Sequence, residues 1–452
     1  MSPSNKLLWL SSLAFIASDP FQSALADSAQ ESSKGFIEDS TWGLLNRTLI
    51  DYRDYRHGAS NSGARNAVKP KSERNGYAEE WAYGLMGNIQ SGFTQGVVGV
   101  GLDAHVYYGQ QLDSGGGRGG KARLLGVDND GHMKNNISRG GVAIKFRVSN
   151  TTLAIGEQRV VTPVFNSSDN RLLPETATGL FLESKEIPNY KFVAGHFTES
   201  TDRNASSHDQ GFVVNYSNAK QGNRSDFVGS TYTGFKDTSI SLYTSEYEDT
   251  WRKHYVGGTW AYPLTPQQAV ALNFNLYRMT DTGKALSGKI DDTAWSLISS
   301  YSYNAHTFML GYQEVDGNTP FDYLTRSGKI LSNSSPISGF DAPNEKSLQA
   351  RYDLNMAPYG VPGLTFSSNY VKGWNIDGTH MDRTGGYKYL GYGKDGRHWE
   401  RGVSAKYVVQ SGSAKGMSFF LRYNSHRANK AQTEADQDWW RFSIDFPLTG
   451  TF

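Results

Sequence analysis

SRGGVAIKFRVSNTTLAIGEQRVVTPVFNSSDNRLLPETATG, residues 138–179, is the stretch that decides how this chain is interpreted. Its first part alternates, with Val142 and Ile144 on one side and Lys145 and Arg147 on the other. Side chains two positions apart share a face of a β-strand, so the pattern predicts a strand with one apolar and one basic face. An apolar face toward lipid and a polar face toward a wet interior is the arrangement of a membrane β-barrel.

The second part of the stretch, from Thr162 to Gly179, has no clean alternation and contains two prolines. We expect it to form a long loop. Its polar residues Asp169, Asn170 and Arg171 make it a candidate for folding back into the bore of a barrel. A basic wall that faces such a loop is what an anion-selective pore needs.

Residues 1–26 have the three parts of a secretory signal peptide: Lys6, an apolar run at 7–17, and the small-x-small sequence at 24–26. The alternative is a buried N-terminal helix. The apolar run is shorter than the roughly 20 residues that a membrane-spanning helix needs. We therefore expect a signal peptide at 1–26 and a single transmembrane β-barrel domain at 27–452.

The composition restricts the classes of function. The 452 residues include no cysteine, which excludes disulfides and thiol chemistry, and the net charge of +1 argues against a nucleic-acid partner. A mean hydropathy of −0.55 would normally argue against a membrane protein. Barrels escape that argument because half of each strand is polar and long loops dilute the rest.

Alternation recurs along the whole chain, so the fold class is predicted to be all-β, a transmembrane antiparallel barrel. A mature chain of this size accommodates on the order of 16–18 strands of about 10 residues. Aromatic residues near strand ends suit interfacial girdles, and the final strand ends in Phe452. The alternating segments include 256–264, 270–276, 347–356, 364–370 and 439–448.

The connections fall into two kinds, as expected for short periplasmic turns on one rim and long extracellular loops on the other. Short turns are expected at 304–305 and 413–415. Long loops are expected at 57–75, 113–136, 201–210, 281–292, 316–346, 375–397 and 427–438.

Basic residues on five strands are expected to face inward, because an arginine or lysine on the lipid side at mid-membrane costs about 2–4 kcal/mol. Arg351 is set aside, since Asp353 is expected to pair with it. The alternative is that these arginines and lysines are solvated charges of the lumen with no role in selectivity. Several moderate cationic sites would let a carboxylate enter and leave, where one deep site would trap it. The cations expected to face inward are Arg47, Arg53, Lys145, Arg147, Lys406, Arg422 and Arg441.

Ordered motifs across the mature chain resemble the OprD family of outer-membrane carboxylate channels. They include RLLPETATG at 171–179, PFDY at 320–323, ARYDLN at 350–355, YGVPGLTF at 359–366 and AKYVVQSG at 405–412. The resemblance implies an 18-stranded barrel with inward-folded loops, located in the Gram-negative outer membrane. It also implies passive diffusion of small carboxylate-bearing solutes through a monomer or weak trimer surrounded by outer-membrane lipid and lipopolysaccharide, without a cofactor.

The resemblance also implies roles for individual residues. A basic ladder is implied at Arg53, Arg171, Lys406, Arg422 and Arg441, to which we add Lys145 and Arg147 from their facing. Constriction tyrosines are implied at Tyr216 and Tyr323, and we expect Asp169, Asn170 and Asp322 beside them.

Departures from the family pattern bear on substrate choice. Phe420 stands where well-known members carry a second ladder arginine, and Ile337 and Gly339 stand where they carry a tyrosine and an acidic residue. A pocket with fewer acidic groups suits cations less well. We hypothesise a preference for simple or aromatic carboxylates; the alternative is a channel for basic amino acids and related peptides.

Two other classes of protein are compatible with a barrel: an enzyme and a structural protein. A membrane-embedded hydrolase has no support from motifs, since the chain contains neither GxSxG nor HExxH. The acidic segment 128–131 fails as a calcium loop because Ile137 stands at the required terminal glutamate, and no metal site is expected. A structural or adhesin barrel stays open as the third class.

Overall fold

The computed structural model describes residues 28–113, 115–208, 211–219, 222–326 and 328–452. The signal peptide expected at residues 1–26 lies outside these ranges. No helix in the described ranges has the length and apolar character needed to cross a membrane.

Eighteen β-strands make up the fold of the described residues, where helical structure is limited to single turns. The prediction of an all-β chain with about 18 strands is confirmed. The strands are β1 (Thr41–Tyr55), β2 (Tyr77–Gln90), β3 (Gly99–Asp113), β4 (Asn136–Val148), β5 (Thr151–Gln158), β6 (Thr176–Ser184), β7 (Tyr190–Thr201), β8 (Ser225–Tyr232), β9 (Thr238–Tyr247), β10 (Trp251–Thr265), β11 (Gln268–Asp281), β12 (Asp291–Tyr303), β13 (His306–Asp316), β14 (Lys346–Asn355), β15 (Leu364–Asp377), β16 (Lys394–Val408), β17 (Ser418–Ala428) and β18 (Gln437–Thr451). The helical turns are Gly115–Arg118 (α) and Ala64–Val68, Lys71–Glu73, Ala357–Tyr359 and Lys388–Leu390 (3₁₀).

The sheet closes on itself. Each strand pairs antiparallel with its neighbours in sequence, and β1 pairs with both β2 and β18, so no edge remains. The closing register runs from Thr41 opposite Thr451 to Tyr55 opposite Gln437. Closure satisfies the backbone groups of every strand, which a lipid environment requires.

The two faces of the wall follow the period of two. On β4, Val142 is 56% exposed and Ile144 is 46% exposed, as expected for side chains that look outward to lipid. On β18, the neighbours Trp439 and Trp440 are 1% and 46% exposed. Apolar residues outside and polar residues inside are therefore the observed arrangement.

The connections separate into a short-turn rim and a long-loop rim. The short turns are 91–98, 149–150, 185–189, 233–237, 266–267, 304–305, 356–363 and 409–417. The long-loop rim carries 56–76, 114–135, 159–175, 202–224, 248–250, 282–290, 317–345, 378–393 and 429–436, of which only 248–250 is as short as a turn.

Several predicted loop boundaries were wrong. The loop expected at 201–210 continues to 224, and the loop expected from Thr162 to Gly179 ends before Thr176. Residues 176–179 (TATG) belong to β6, although small and hydroxylated side chains hide the alternation there.

The loop 159–175 folds into the barrel, as expected. Leu172 and Leu173 are fully buried and pack with Leu49 on the inner wall. Gly84 makes room for them, because a Cβ on that glycine would lie 3.1 Å from Leu172. Burying one leucine is worth roughly 1.5–3 kcal/mol, so this pair anchors the loop inside the lumen.

Candidate functional site

Four arginines converge on the indole of Trp439 on the inner wall. Their guanidinium carbons lie 4.4 Å (Arg53), 5.3 Å (Arg171), 4.7 Å (Arg422) and 4.7 Å (Arg441) from the ring centre. We call these four residues with Trp439 the arginine cluster. Each distance is within the roughly 6 Å over which a cation is attracted to an aromatic face.

Strand register explains how three of the arginines meet. Arg53 of β1 lies opposite Trp439 of β18, and Arg441 of β18 lies opposite Arg422 of β17. These three arginines and Trp439 all occupy inward positions on the adjacent strands β1, β18 and β17. Arg171 reaches the same ring from the loop 159–175.

One carboxylate serves two members of the cluster. Arg53 Nε donates to Asp51 Oδ1 at 2.8 Å, and Arg441 Nη2 donates to Asp51 Oδ2 at 2.8 Å. The side chain of Asp51 is fully buried. These two guanidiniums are therefore held in place and partly neutralised.

Arg171 and Arg422 make no salt bridge with any carboxylate in the described ranges. Arg171 instead donates from Nε to the carbonyl of Ala122 at 3.2 Å and from Nη1 to the carbonyl of Asn170 at 2.9 Å. Burial and the nearby guanidinium of Arg441 hold the pKa of Arg171 well below its usual range. Four guanidiniums thus share one carboxylate, that of Asp51, and Arg171 and Arg422 are left without a counter-ion in the described ranges.

Polar contacts hold the tip of the loop 159–175 against the cluster. Asp169 Oδ1 accepts from Arg47 at 2.8 Å, and the carbonyl of Asn170 accepts from Arg441 at 2.8 Å. Arg203 donates to Asn170 Oδ1 at 2.7 Å. Asp169 and Asn170 therefore position this loop beside the cationic wall.

Asp322 organises a second group on the far side of the ring of strands. Its carboxylate accepts backbone N–H groups from Tyr216 at 2.9 Å, Ser217 at 2.9 Å and Tyr323 at 2.8 Å. Lys253 of β10 donates to its carbonyl. In a ring of 18 strands β10 stands opposite β1, so this group faces the arginine cluster across the lumen.

The acidic side chains of this second group are already engaged. Tyr216 donates to Asp341 at 2.6 Å, and Lys329 forms a buried salt bridge with the same carboxylate. The rings of Tyr216 and Tyr323 pack edge to face with centres 5.9 Å apart. Burial raises the pKa of Asp322 to about 6, so this carboxylate stays mostly ionised at pH 7 and loses its charge in mildly acidic solution.

A charged network joins the inward loops to one another. Arg326 Nη2 donates to Asp202 at 2.9 Å. Glu175 accepts backbone N–H groups from Ser168 at 2.8 Å and from Arg326 at 3.1 Å. Burial and neighbouring Asp202 raise the pKa of Glu175 to about 7. The loops 159–175, 202–224 and 317–345 are therefore fixed as one assembly.

The remaining ladder residues lie elsewhere. Lys406 of β16 is exposed on the inner face, closer to the short-turn rim than Arg422. Lys145 pairs with Asp103 at 2.5 Å, and Arg147 stacks on Phe93 at 4.0 Å, both close to the short-turn rim. All three face inward as predicted, but Lys145 and Arg147 do not join the arginine cluster. Arg351 pairs with Asp353 at 2.9 Å, as expected.

Sequence reasoning missed several residues of the site. Parity placed Trp439 inside, yet nothing in the pattern indicated that it would serve as the platform for four guanidiniums. Asp51 shares a face with Arg53 two positions away, which was a usable signal for their pairing. Arg203 and Arg326 lie on loops, where no periodicity indicates which side chains meet.

A closed barrel with an apolar outer face and a lumen lined by inward loops and uncompensated cations is the structure of a membrane channel. The profile described as "outer membrane porin, OprD family" matches residues 34–450. The chain therefore belongs to the OprD family of porins of the Gram-negative outer membrane, and it is a channel protein, not an enzyme. The long-loop rim is the extracellular one.

Individual members of this family are similar to the chain in sequence and in structure. The chain is 42% identical to Porin D of Pseudomonas aeruginosa, over 98% of this chain and 98% of that protein. It superposes on the crystal structure of P. aeruginosa OprD with a TM-score of 0.80 at 40% identity, covering 94% of this chain and 98% of that one. It superposes on P. aeruginosa OpdK, solved with vanillate, with a TM-score of 0.80 at 29% identity, covering 92% and 100%.

Proposed function

We propose that this porin carries small carboxylate-bearing solutes by passive diffusion and prefers simple or aromatic acids to arginine-like cations. The proposal rests on one observation: the guanidiniums of Arg171 and Arg422 have no salt-bridge partner among the residues that the structure describes. Both guanidiniums sit on Trp439 without a carboxylate partner in the described ranges. A planar guanidinium matches the two oxygens of a carboxylate, so each offers a binding position for a passing anion.

The energies are suited to passage. A charge pair 4 Å apart is worth roughly 4 kcal/mol at an effective dielectric constant of about 20, before dehydration is subtracted. Arg53 and Arg441 are partly neutralised by Asp51, which makes them weaker neighbours of the two unpaired arginines. Graded sites of this kind bind a solute enough to admit it and still release it.

The same surface suits an aromatic ring. Arg422 lies between Trp439 and Phe420, with its guanidinium carbon 5.7 Å from the Phe420 ring centre. An aromatic acid could place its carboxylate on Arg422 and its ring against these apolar faces. OpdK, which was crystallised with the aromatic carboxylate vanillate, supports this choice as a relative with the same fold.

The competing substrate class is basic amino acids. A cation would need free carboxylates opposite the arginine cluster. Asp341 is paired with Lys329, and Asp322 is occupied by three backbone N–H groups. This side therefore offers a cation little uncompensated negative charge, which favours the carboxylate proposal.

A liposome-swelling assay at pH 8 tests the proposal with purified protein and isosmotic sodium benzoate or arginine hydrochloride. Protein-free liposomes correct for benzoic acid that crosses lipid directly. We expect benzoate to enter faster than arginine through the wild-type channel, and the difference to shrink in the Arg422→Ala variant. Faster arginine entry through the wild-type channel would overturn the proposal.

A further inference from the structure

Two buried histidines and one glutamate at the extracellular rim bring three ligand atoms together. His398 Nδ1 lies 3.0 Å from His426 Nε2 and 3.5 Å from Glu434 Oε2. His426 Nε2 lies 3.1 Å from the same carboxylate oxygen. We propose that these three side chains form a binding site for a divalent transition-metal ion, with zinc as the best match, a kind of site that the sequence did not lead us to expect.

The outward nitrogens of both imidazoles are already engaged. His398 Nε2 lies 2.5 Å from Glu345 Oε1, and His426 Nδ1 lies 3.2 Å from the carbonyl of Ala435. Both partners are acceptors, so each imidazole must donate a proton to them. A neutral imidazole has one N–H, and it is spent in these contacts.

In the neutral form of both histidines, three lone pairs face a common point. With both imidazoles neutral, His398 Nδ1, His426 Nε2 and Glu434 Oε2 are all acceptors, and acceptors this close repel one another unless a proton or a metal ion lies between them. Histidine metal ligands ordinarily donate their other N–H to a carboxylate or a backbone carbonyl. Glu345 and Ala435 supply one partner of each kind.

The spacing fits tetrahedral coordination. Zinc bonds nitrogen and oxygen ligands at about 2.0–2.1 Å, which places the ligand atoms of a tetrahedron roughly 3.3 Å apart. The three observed separations, 3.0, 3.1 and 3.5 Å, bracket that value. Two imidazoles with one carboxylate are also a zinc ligand set, whereas calcium and magnesium prefer oxygen ligands alone.

The surroundings favour a cation and hold the ligands in place. Both histidine side chains are fully buried, and the Phe340 ring stacks on His398 with centres 4.2 Å apart. The Glu434 side chain is 28% exposed, but its Oε2 atom is buried and has no hydrogen-bond donor in the described ranges, as expected of an atom reserved for an ion. Ser338 donates to Glu434 Oε1 at 3.1 Å and so orients the carboxylate.

A metal ion at this position would connect separate elements of the rim. His398 lies on β16, His426 on β17 and Glu434 on the loop 429–436, while Glu345 and Ser338 belong to the loop 317–345. That second loop also carries Asp322 and Asp341 of the constriction. The ion would therefore fix the outer end of the loop that narrows the lumen.

Zinc titration of the untagged, detergent-purified channel tests this site. The protein is stripped with EDTA, dialysed and titrated with zinc chloride at pH 7.5 by calorimetry, and bound metal is counted after desalting. We expect one zinc per chain in the wild type and a loss of at least tenfold in affinity in His426→Ala and in Glu434→Gln. X-ray absorption of the bound zinc should show only nitrogen and oxygen ligands.

Two further variants make the outcome specific. His254→Ala removes an exposed histidine of β10 that is not one of the three proposed ligands, and this variant should bind zinc like the wild type. Glu345→Gln keeps all three ligands but loses the carboxylate behind His398, so affinity should fall about 10- to 100-fold with unchanged stoichiometry. Heat-modifiable gel mobility verifies that each barrel is folded. Absence of zinc binding in the wild type, or wild-type affinity in folded His426→Ala and Glu434→Gln, would overturn the proposal and indicate a shared proton instead.

Discussion

The guanidinium carbon of Arg171 lies 5.3 Å from the ring centre of Trp439, which brings an inward loop against the last strand of the barrel. This contact completes a cluster whose other arginines come from the wall. The indole holds four positive groups close together without neutralising them, since an aromatic face attracts cations but carries no net charge.

Trp439→Leu should disperse the arginine cluster. Each lost cation–π contact is worth at least about 0.5–1 kcal/mol, so the loss of one at the limiting barrier should lower benzoate flux roughly two- to fivefold or more. Swelling rates in liposomes measure the change. Trp440→Leu is the matched control, because the neighbouring indole faces lipid and its loss should leave the flux unaltered. Equal effects of the two substitutions would contradict the role given to the platform.

Arg422→Ala should remove one of the two unpaired binding positions. We expect benzoate flux to drop on the order of tenfold, equivalent to about 1.4 kcal/mol at the limiting barrier. Arg351→Ala provides the comparison, since that arginine also faces inward but is paired with Asp353. If both variants lose benzoate flux to the same degree, the effect is general lumen charge and the ladder has no special positions.

Lowering the pH from 8 to 6 should increase anion selectivity. Burial and Asp202 raise the pKa of Glu175 to about 7, so this carboxylate is negative above that value and neutral below it. Its protonation removes negative charge beside Arg203 and Arg326. Reversal potentials in a potassium chloride gradient should therefore shift toward the chloride value through pH 7.

Glu175→Gln should abolish that titration step, because the amide is neutral throughout the range. Glu186→Gln, at an exposed site on the short-turn rim, should retain it. A wild-type selectivity that does not change between pH 8 and 6, or a step that survives in Glu175→Gln, would assign the titration elsewhere.

Asp322→Ala should loosen the packing of the inward loops 202–224 and 317–345. The substitution leaves three backbone N–H groups of Tyr216, Ser217 and Tyr323 without their acceptor, at a cost of about 1–3 kcal/mol for each group that stays buried. We expect a larger and noisier single-channel conductance in planar bilayers. Asp322→Asn keeps one acceptor oxygen, so its conductance should lie between those of the wild type and Asp322→Ala. Asp291→Ala, at an exposed site on the same rim, should have the wild-type conductance. Unaltered conductance in Asp322→Ala would show that this carboxylate does not hold the loops.

Facing could be predicted from sequence because it depends only on a period of two and on the cost of charge in lipid. That reasoning placed Arg53, Arg422 and Arg441 inside correctly. Height along the barrel is a separate matter. Lys145 and Arg147 face inward as predicted but lie beside the short-turn rim, because parity fixes the face of a strand and not the depth of a residue.

The contacts of the inward loops could not be predicted in the same way. Arg171 reaches Trp439 because the adjacent Leu172 and Leu173 pack against the inner wall and hold the loop inside the lumen. The resemblance to the family implied a role for Arg171, but no local pattern connects it with a ring on β18. The three proposed zinc ligands likewise come from separate elements: His398 lies on β16, His426 on β17 and Glu434 on the loop 429–436.

The unpaired guanidiniums of Arg171 and Arg422 should make the channel select anions, and a reversal potential measures that selectivity. The measurement uses a tenfold gradient of potassium benzoate across a planar bilayer at pH 8, with wild type and the double variant Arg171→Ala/Arg422→Ala. We expect a wild-type potential close to the benzoate equilibrium value and a shift of the variant toward zero or the potassium value. A wild-type potential on the potassium side, or one that the double variant leaves unchanged, would contradict it.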